Sequence, residues 1–346
     1  MPSTYIVLFL LDLCSSVNEL ATLMAQFSMM SVQGNNEYDS GMSHYTTGSG
    51  RFPLILDGAM GTELARRGVD TGLPLWSANA LLSAADTIRQ IHVDYIRAGA
   101  QVITTDTFRT NTRTLRRSGL HERMRELTRY AVNLAREAIT QVSPPPTLLL
   151  PGRVQIAGSI APVEDCYSPW LVPQDDDILL AEHTELATLL AEAGCDLLLL
   201  ETMNTAREAA VAAKAAMQTG LPLWVSFVLG SDNRLLSGET VTDAVRGVLG
   251  CRPQAVLVNC IPVVQVSSAL TELRRAAGSD VTIGAYANAG HVEEQGWTME
   301  HGTAPIDYAR AATQWAHEGA GIIGGCCGST PDHIRAVCNA LSVPGE

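Results

Sequence analysis

Ile96-Arg97-Ala98-Gly99-Ala100 runs directly into Gln101-Val102-Ile103-Thr104-Thr105, a helical stretch closed by glycine and followed at once by an apolar run. Glycine just past a helix end tolerates the left-handed turn that closes it. A short link from there into a buried strand is the join of a βα repeat. The phrase recurs as Ala191-Glu192-Ala193-Gly194-Cys195 ahead of 196–201, and as Ala316-His317-Glu318-Gly319-Ala320 ahead of 321–325. At its other end the first of these helices reads as a capping box from Ser83 to Asp86, followed by one face made of Ala85, Ile88, Ile91, His92 and Tyr95.

Outward from these joins, apolar runs mark strands at 53–57, 101–105, 153–159, 196–201, 222–228, 255–259, 281–286 and 320–324. Several are apolar nearly throughout, as parallel strands covered on both faces should be. Eight strands with helices between them predict an α/β fold, a (β/α)8 TIM barrel over residues 51–346. The competing fold is an open doubly wound sheet. No G-x-G-x-x-G or G-x-x-x-x-G-K-[ST] follows a strand, so no dinucleotide or P-loop site supports it.

Residues 1–50 read differently. They hold no Lys or Arg, whereas all 23 basic residues lie from Arg51 onward. The apolar run from Ile6 to Leu11 is broken by Asp12 and has no positive flank, so it is not expected to be a signal peptide. It is also too short to span a bilayer. Residues 33–50 are polar and rich in Gly, Ser and Asn, a flexible lead-in. A net charge of −13 argues against nucleic acid and anionic membrane as partners, since both require basic surface. Eight cysteines without dense regular spacing do not form a secreted disulfide framework, and a reducing, cytoplasmic setting fits them better.

A barrel gathers its active groups at the C-terminal ends of its strands. Here the predicted strands end in, or run into, Asp57, Thr105-Asp106-Thr107, Ser159, Glu201, Ser226, Asn259-Cys260, Asn288 and Cys326-Cys327. Cys260 and the vicinal pair in Gly324-Gly325-Cys326-Cys327-Gly328 place three thiols at two strand ends. That set suits a tetrahedral zinc with its fourth position open, the pattern of a catalytic site. The competing reading is that these are small core residues, because free cysteine packs well in apolar interiors. Flanking glycines, which leave space around Cys326 and Cys327, weigh against it. A disulfide between neighbours is disfavoured, because Cα atoms about 3.8 Å apart fall short of the usual disulfide span. On spacing alone Asp57 and Glu201 could be helix-cap or ion-pair carboxylates, the reading that Asp57-Gly58, a common turn pair, favours for Asp57, and Trp76 is either a core aromatic or a cation–π wall. His92 and His183 fall on predicted helices and are expected to pack rather than to ligate.

Taken in order, Leu56-Asp57-Gly58-Ala59-Met60-Gly61-Thr62-Glu63-Leu64, Ala98-Gly99-Ala100 through Thr107-Phe108, Ala157-Gly158-Ser159-Ile160, Leu200-Glu201-Thr202, Val258-Asn259-Cys260 and GGCCGSTPDHI at 324–334 resemble the homocysteine S-methyltransferase family. The resemblance spans about residues 53–340. It implies a (β/α)8 barrel with Zn2+ on Cys260, Cys326 and Cys327. It further implies that Asp57 and Glu201 hold the homocysteine amino group. Backbone amides near Gly58 and Ser159 would meet its carboxylate, with Asn288 also at the substrate. The implied reaction moves a methyl group from an onium donor to the thiol of homocysteine. Two positions depart from the family pattern. Arg109 stands where betaine-dependent enzymes carry an aromatic residue, and Ala287 precedes Asn288-Ala289-Gly290 where the family often has proline. The first favours a sulfonium donor, S-methylmethionine or S-adenosylmethionine, with Trp76 facing the onium and Arg109 pairing with the donor carboxylate. The alternatives are a betaine-dependent enzyme, the homocysteine half of a split corrinoid system, and a non-enzymatic zinc- or thiol-binding regulator. The corrinoid version needs a separate partner, since the chain has no D-x-H-x-x-G motif.

Overall fold

Every apolar run expected to be a strand is one. The computed structural model describes residues 52–142, 153–293, 296–298 and 302–342, and the lead-in expected over 1–50 lies outside them. In chain order the strands are β1 Leu54–Ile55, β2 Val102–Thr104, β3 Gln155–Ile160, β4 Leu197–Met203, β5 Leu223–Phe227, β6 Ala255–Pro262, β7 Thr282–Asn288 and β8 Ala320–Gly325. All pair in parallel, in the spatial order β1-β8-β7-β6-β5-β4-β3-β2. The ends meet as well. Leu56 bridges Val102, the Asp57 amide donates to the Val102 carbonyl at 3.0 Å, and the Gln101 amide donates to the Ile55 carbonyl at 2.8 Å. These bonds close the sheet into a (β/α)8 barrel and exclude the open doubly wound sheet. A short antiparallel pair, His291–Glu293 with Gly296–Thr298, follows β7.

The three glycine joins behave alike. Gly99, Gly194 and Gly319 have φ of 109°, 87° and 95°, a left-handed conformation that any side chain would strain. At the first join the Gly99 amide reaches the Ile96 carbonyl and the Ala100 amide the Tyr95 carbonyl, both at 3.0 Å, satisfying the last turn of the helix. The chain then enters β2 within three residues.

The start of that helix differs from expectation. It runs Ala85–Ala98 with Ala84 at its cap and no side-chain cap bond. Ser83 instead ends a preceding short helix, Ala80–Ser83, and its hydroxyl donates to the Asn79 carbonyl at 3.1 Å. A hydroxyl bonded back into its own helix is not available to cap the next one. The predicted face holds: Ile88, Ile91, His92 and Tyr95 are fully buried, and Ala85 is partly so.

Candidate metal and substrate site

The cysteines sit where the strands stop. Cys260 lies near the end of β6, and Cys326 and Cys327 follow β8, with β7 between the two strands. The β6 register against β7 shifts between Asn259 and Pro262, and Cys260 has φ of 57°. A bulge with one residue in the left-handed region re-aims a side chain at some cost in strain. Here it turns the Cys260 thiol toward the vicinal pair. Its sulfur lies 3.1 Å from Cys326 Sγ and 3.7 Å from Cys327 Sγ, and all three sulfurs fall within 4.8 Å of one another. Zinc–sulfur bonds of about 2.3 Å in a tetrahedron require sulfurs about 3.8 Å apart, so this donor set fits such an ion. The Cys260 thiol is pushed well below its ordinary range by hydrogen bonds from Cys326 and Cys327, while those two are held above theirs by the hydrogen bonds to Cys260 and by burial.

Asn259 braces this corner from behind. Its Oδ1 accepts from the Thr202 amide at 3.0 Å and the Ser226 hydroxyl at 2.7 Å, and its Nδ2 donates to Thr202 Oγ1 at 2.8 Å. Thr202 itself has φ of 60°, at a second register shift, between β4 and β5. Both irregularities in these strands therefore flank functional side chains.

Two of the carboxyls lining the same cavity, whose volume is about 490 Å3, are the predicted Asp57 and Glu201. Asp57, 4 % exposed, accepts from the Thr104 amide at 2.7 Å and the Thr104 hydroxyl at 2.9 Å. Burial pushes its pKa up to about 8, helped by the nearby Glu201 charge and opposed by the two Thr104 bonds. Glu201, in β4, accepts from the Ser159 hydroxyl and, at 3.5 Å, from Tyr286. Burial lifts its pKa to about 7, with Cys260 adding and Ser159 opposing. A cation entering between them would return both to the ionised form, because an opposite charge nearby favours the charged state.

The other predicted residues divide. Gly58 lines the cavity and Ser159 does not. The Ser159 amide is taken by Thr105 Oγ1 at 3.0 Å, so Ser159 meets the site through its hydroxyl on Glu201. Asn288 ends β7 outside the cavity lining, with its Oδ1 buried and unpartnered. His92 and His183 are buried away from the lining, and His183 Nε2 lies 3.1 Å from Glu208 Oε1.

Loops supply the remaining wall. Trp76 lines the cavity and meets Phe108 edge-on at 5.6 Å. Its φ is 49°, and its ring lies so close to Gly61 that a Cβ there would come within 2.2 Å of it. Arg109 also lines the cavity, but its Nη2 pairs with Asp165 Oδ1 at 3.3 Å. Sequence reasoning missed Thr104, Tyr286 and above all Tyr167, whose hydroxyl lies 3.2 Å from Cys260 Sγ. Tyr167 rides on a loop after β3, pinned by the Val163 amide on Glu208 at 2.8 Å, by Glu164 on Arg117 at 2.7 Å, and by Asn204 on the Cys166 carbonyl at 3.0 Å. No spacing pattern encodes such a loop. The only available signal was a polar aromatic a few residues beyond a barrel strand.

A closed (β/α)8 barrel with a metal-competent thiol cluster and two buried carboxyls at its C-terminal mouth defines a class of barrel enzymes. The family model for homocysteine S-methyltransferase matches residues 54–341, and the chain belongs to that family, whose enzymes methylate the sulfur of homocysteine. The homocysteine S-methyltransferase of Escherichia coli is 33% identical over 304 residues, 82% of this chain and 94% of its own. The selenocysteine methyltransferase of Astragalus bisulcatus is 28% identical over 317 residues, covering 83% of this chain and 92% of that one. Among solved structures, the metallated form of the homocysteine methyltransferase MmuM from Escherichia coli matches with a TM-score of 0.72 at 29% identity, over 84% of this chain and 96% of that one. Among the described residues no helix is long and apolar enough to cross a membrane.

Proposed function

We propose that this chain makes methionine by moving a methyl group from a sulfonium donor, S-methylmethionine or S-adenosylmethionine, to L-homocysteine, with zinc held by Cys260, Cys326 and Cys327. The observation that carries this reading is the convergence of three sulfurs within 4.8 Å and two buried carboxyls on one cavity. Zinc bound there keeps the acceptor sulfur deprotonated near neutral pH, where a free thiol is only a few per cent thiolate.

Asp57 and Glu201 receive the α-ammonium of homocysteine. Thr104 and Ser159 hold them in place, and backbone near Gly58 faces the substrate carboxylate. With both ends of homocysteine fixed, its sulfur is directed at the donor methyl. The sulfur lone pair forms the new S–CH3 bond as the donor's S–CH3 bond breaks, and the donor leaves as a neutral thioether. No proton moves in that displacement, so the site needs no general base. Trp76 offers a ring face to the sulfonium, and Arg109 offers its guanidinium to the donor carboxylate. Reduced thiols of this kind persist in a cytoplasmic setting.

The test is to incubate the purified zinc-loaded protein with homocysteine and each of S-methylmethionine, S-adenosylmethionine and betaine, without cobalamin, and to measure methionine. Turnover with S-methylmethionine well above turnover with betaine is expected. Equal or faster turnover with betaine would refute the sulfonium assignment. No turnover with any donor would point to a corrinoid partner or a non-enzymatic role.

A further inference from the structure

Asp106 follows β2 on the cavity wall and is only 2 % exposed. A side-chain hydrogen bond from Ser77 serves one end of its carboxyl. The other oxygen, Oδ2, has no partner and is shut off from solvent. Ser77 adjoins Trp76, and Phe108 packs edge-on against that Trp76 ring. Through Ser77 the carboxyl is tied to the Trp76–Phe108 part of the lining, which the reading above gives to the donor. Three residues on, Arg109 presents a matching deficiency: its Nη2 meets Asp165, but its Nε is buried and unpartnered.

A carboxyl and a guanidinium that line one cavity, each keeping a buried polar atom without a partner, are an arrangement that a zwitterion completes. Buried polar groups left unpaired are costly, and a ligand that pairs them is selected over one that cannot. Burial raises the Asp106 pKa to about 6, with the Ser77 bond opposing, so near neutral pH the carboxyl is still mostly ionised and a cation beside it would stabilise that form further.

We propose that Asp106 is a specificity-determining residue for the methyl donor, its carboxylate pairing with the α-ammonium of an amino-acid sulfonium while Arg109 pairs with the carboxylate of the same molecule. This rests on the sulfonium reading of the site given above. It adds a requirement that the reading alone does not contain: the donor is recognised as an amino acid, not merely as a methyl sulfonium. A sulfonium acid without the amino group, such as dimethylsulfoniopropionate, offers Arg109 its carboxylate and Trp76 its onium but leaves Asp106 unpaired.

The experiment compares kcat/KM for S-methylmethionine and for dimethylsulfoniopropionate at fixed homocysteine, in wild type and Asp106→Asn, using zinc-loaded enzyme. The expected result is a loss of about tenfold or more for S-methylmethionine, the scale of a charge-assisted hydrogen bond. The loss for dimethylsulfoniopropionate should stay within about threefold, with an unchanged KM for homocysteine. Equal losses with both donors would mean that Asp106 supports the fold or faces the sulfonium, and would overturn the proposal. Unchanged kinetics with S-methylmethionine would overturn it too. Wild-type enzyme that uses neither sulfonium would sink the donor reading itself, and Asp106 would fall with it. Asp106→Glu provides a second check: it keeps the charge and should recover part of the S-methylmethionine activity without altering dimethylsulfoniopropionate.

Discussion

The wall of the cavity proposed for the acceptor is built from strand ends, the wall proposed for the donor from loops, and the two are held by different forces. On the acceptor side each functional group is fixed by a neighbouring strand. Thr104 holds Asp57, Ser159 holds Glu201, and the Cys326 amide donates to the Ala287 carbonyl at 2.7 Å. On the donor side the groups hold one another through side chains: Trp76 rests on Gly61, Arg109 on Asp165, and the Tyr167 loop on Glu208 and Asn204. A parallel ladder buried on both faces allows little movement, whereas side-chain contacts between loops can be exchanged singly. On the proposed reading, the thiols and carboxyls that serve the acceptor sit on the rigid wall, and the residues that would choose the donor sit on the wall that tolerates change.

That contrast can be broken at several points. Cys260→Ser, Cys326→Ser and Cys327→Ser should each drop the metal content well below one zinc per chain and take activity to background. Circular dichroism of the metal-free protein should still report a folded barrel. Full zinc retention in any of the three would remove that residue from the ligand set. Next in size, Asp57→Asn and Glu201→Gln should each weaken homocysteine binding by about 1.5–3 kcal/mol, roughly 10- to 150-fold, while leaving the donor KM alone. Calorimetric titration with homocysteine decides this, and wild-type affinity in either variant would return that carboxyl to a purely structural role.

The donor wall should show smaller and more selective effects. Arg109→Ala should raise the donor KM by a larger factor than the homocysteine KM, and equal factors would make Arg109 a rim residue that serves only Asp165. Trp76→Ala should cost about 0.5–2 kcal/mol in donor affinity, and Trp76→Phe should restore part of it because a ring face remains. His92, outside both walls, supplies the smallest effect. Burial depresses its pKa to about 4 from 6.5, so between those values the unfolded chain binds a proton that the folded chain refuses. Stability should fall as pH drops from about 6.5 toward 4, with no further loss from this group below that window. His92→Leu should flatten that part of a melting-temperature profile, and an unchanged slope would assign the acid sensitivity to other groups.

The difference between the walls also explains what the sequence made legible. Gly99, Gly194 and Gly319 each close a helix before a strand, and buried parallel strands are apolar throughout, so local text marks the barrel. Residues at strand ends inherit that legibility, and Asp57, Glu201 and the three cysteines could be named from it. Tyr167 and the ring position of Trp76 depend on which loop packs against which, a long-range matter with no periodic trace. Ser159 stands at the expected strand end, but its own amide donates to Thr105, a pairing that only the neighbouring strand decides. Ser83 illustrates the same limit on a small scale: its motif was sound, but the short helix before it claimed the hydroxyl first.

The thiols come from β6 and β8, which share no hydrogen bonds because β7 runs between them. An ion on Cys260, Cys326 and Cys327 is therefore a clasp across three staves of a hoop, joining at the rim what the ladder joins only in steps. Its removal should leave the lower staves untouched and loosen the rim alone. In hydrogen–deuterium exchange, amides near Asn259 and Gly325 should speed up on metal loss while those at Ala255 and Ile322 keep their protection. The clasp would then serve as a latch on the mouth as well as a seat for chemistry.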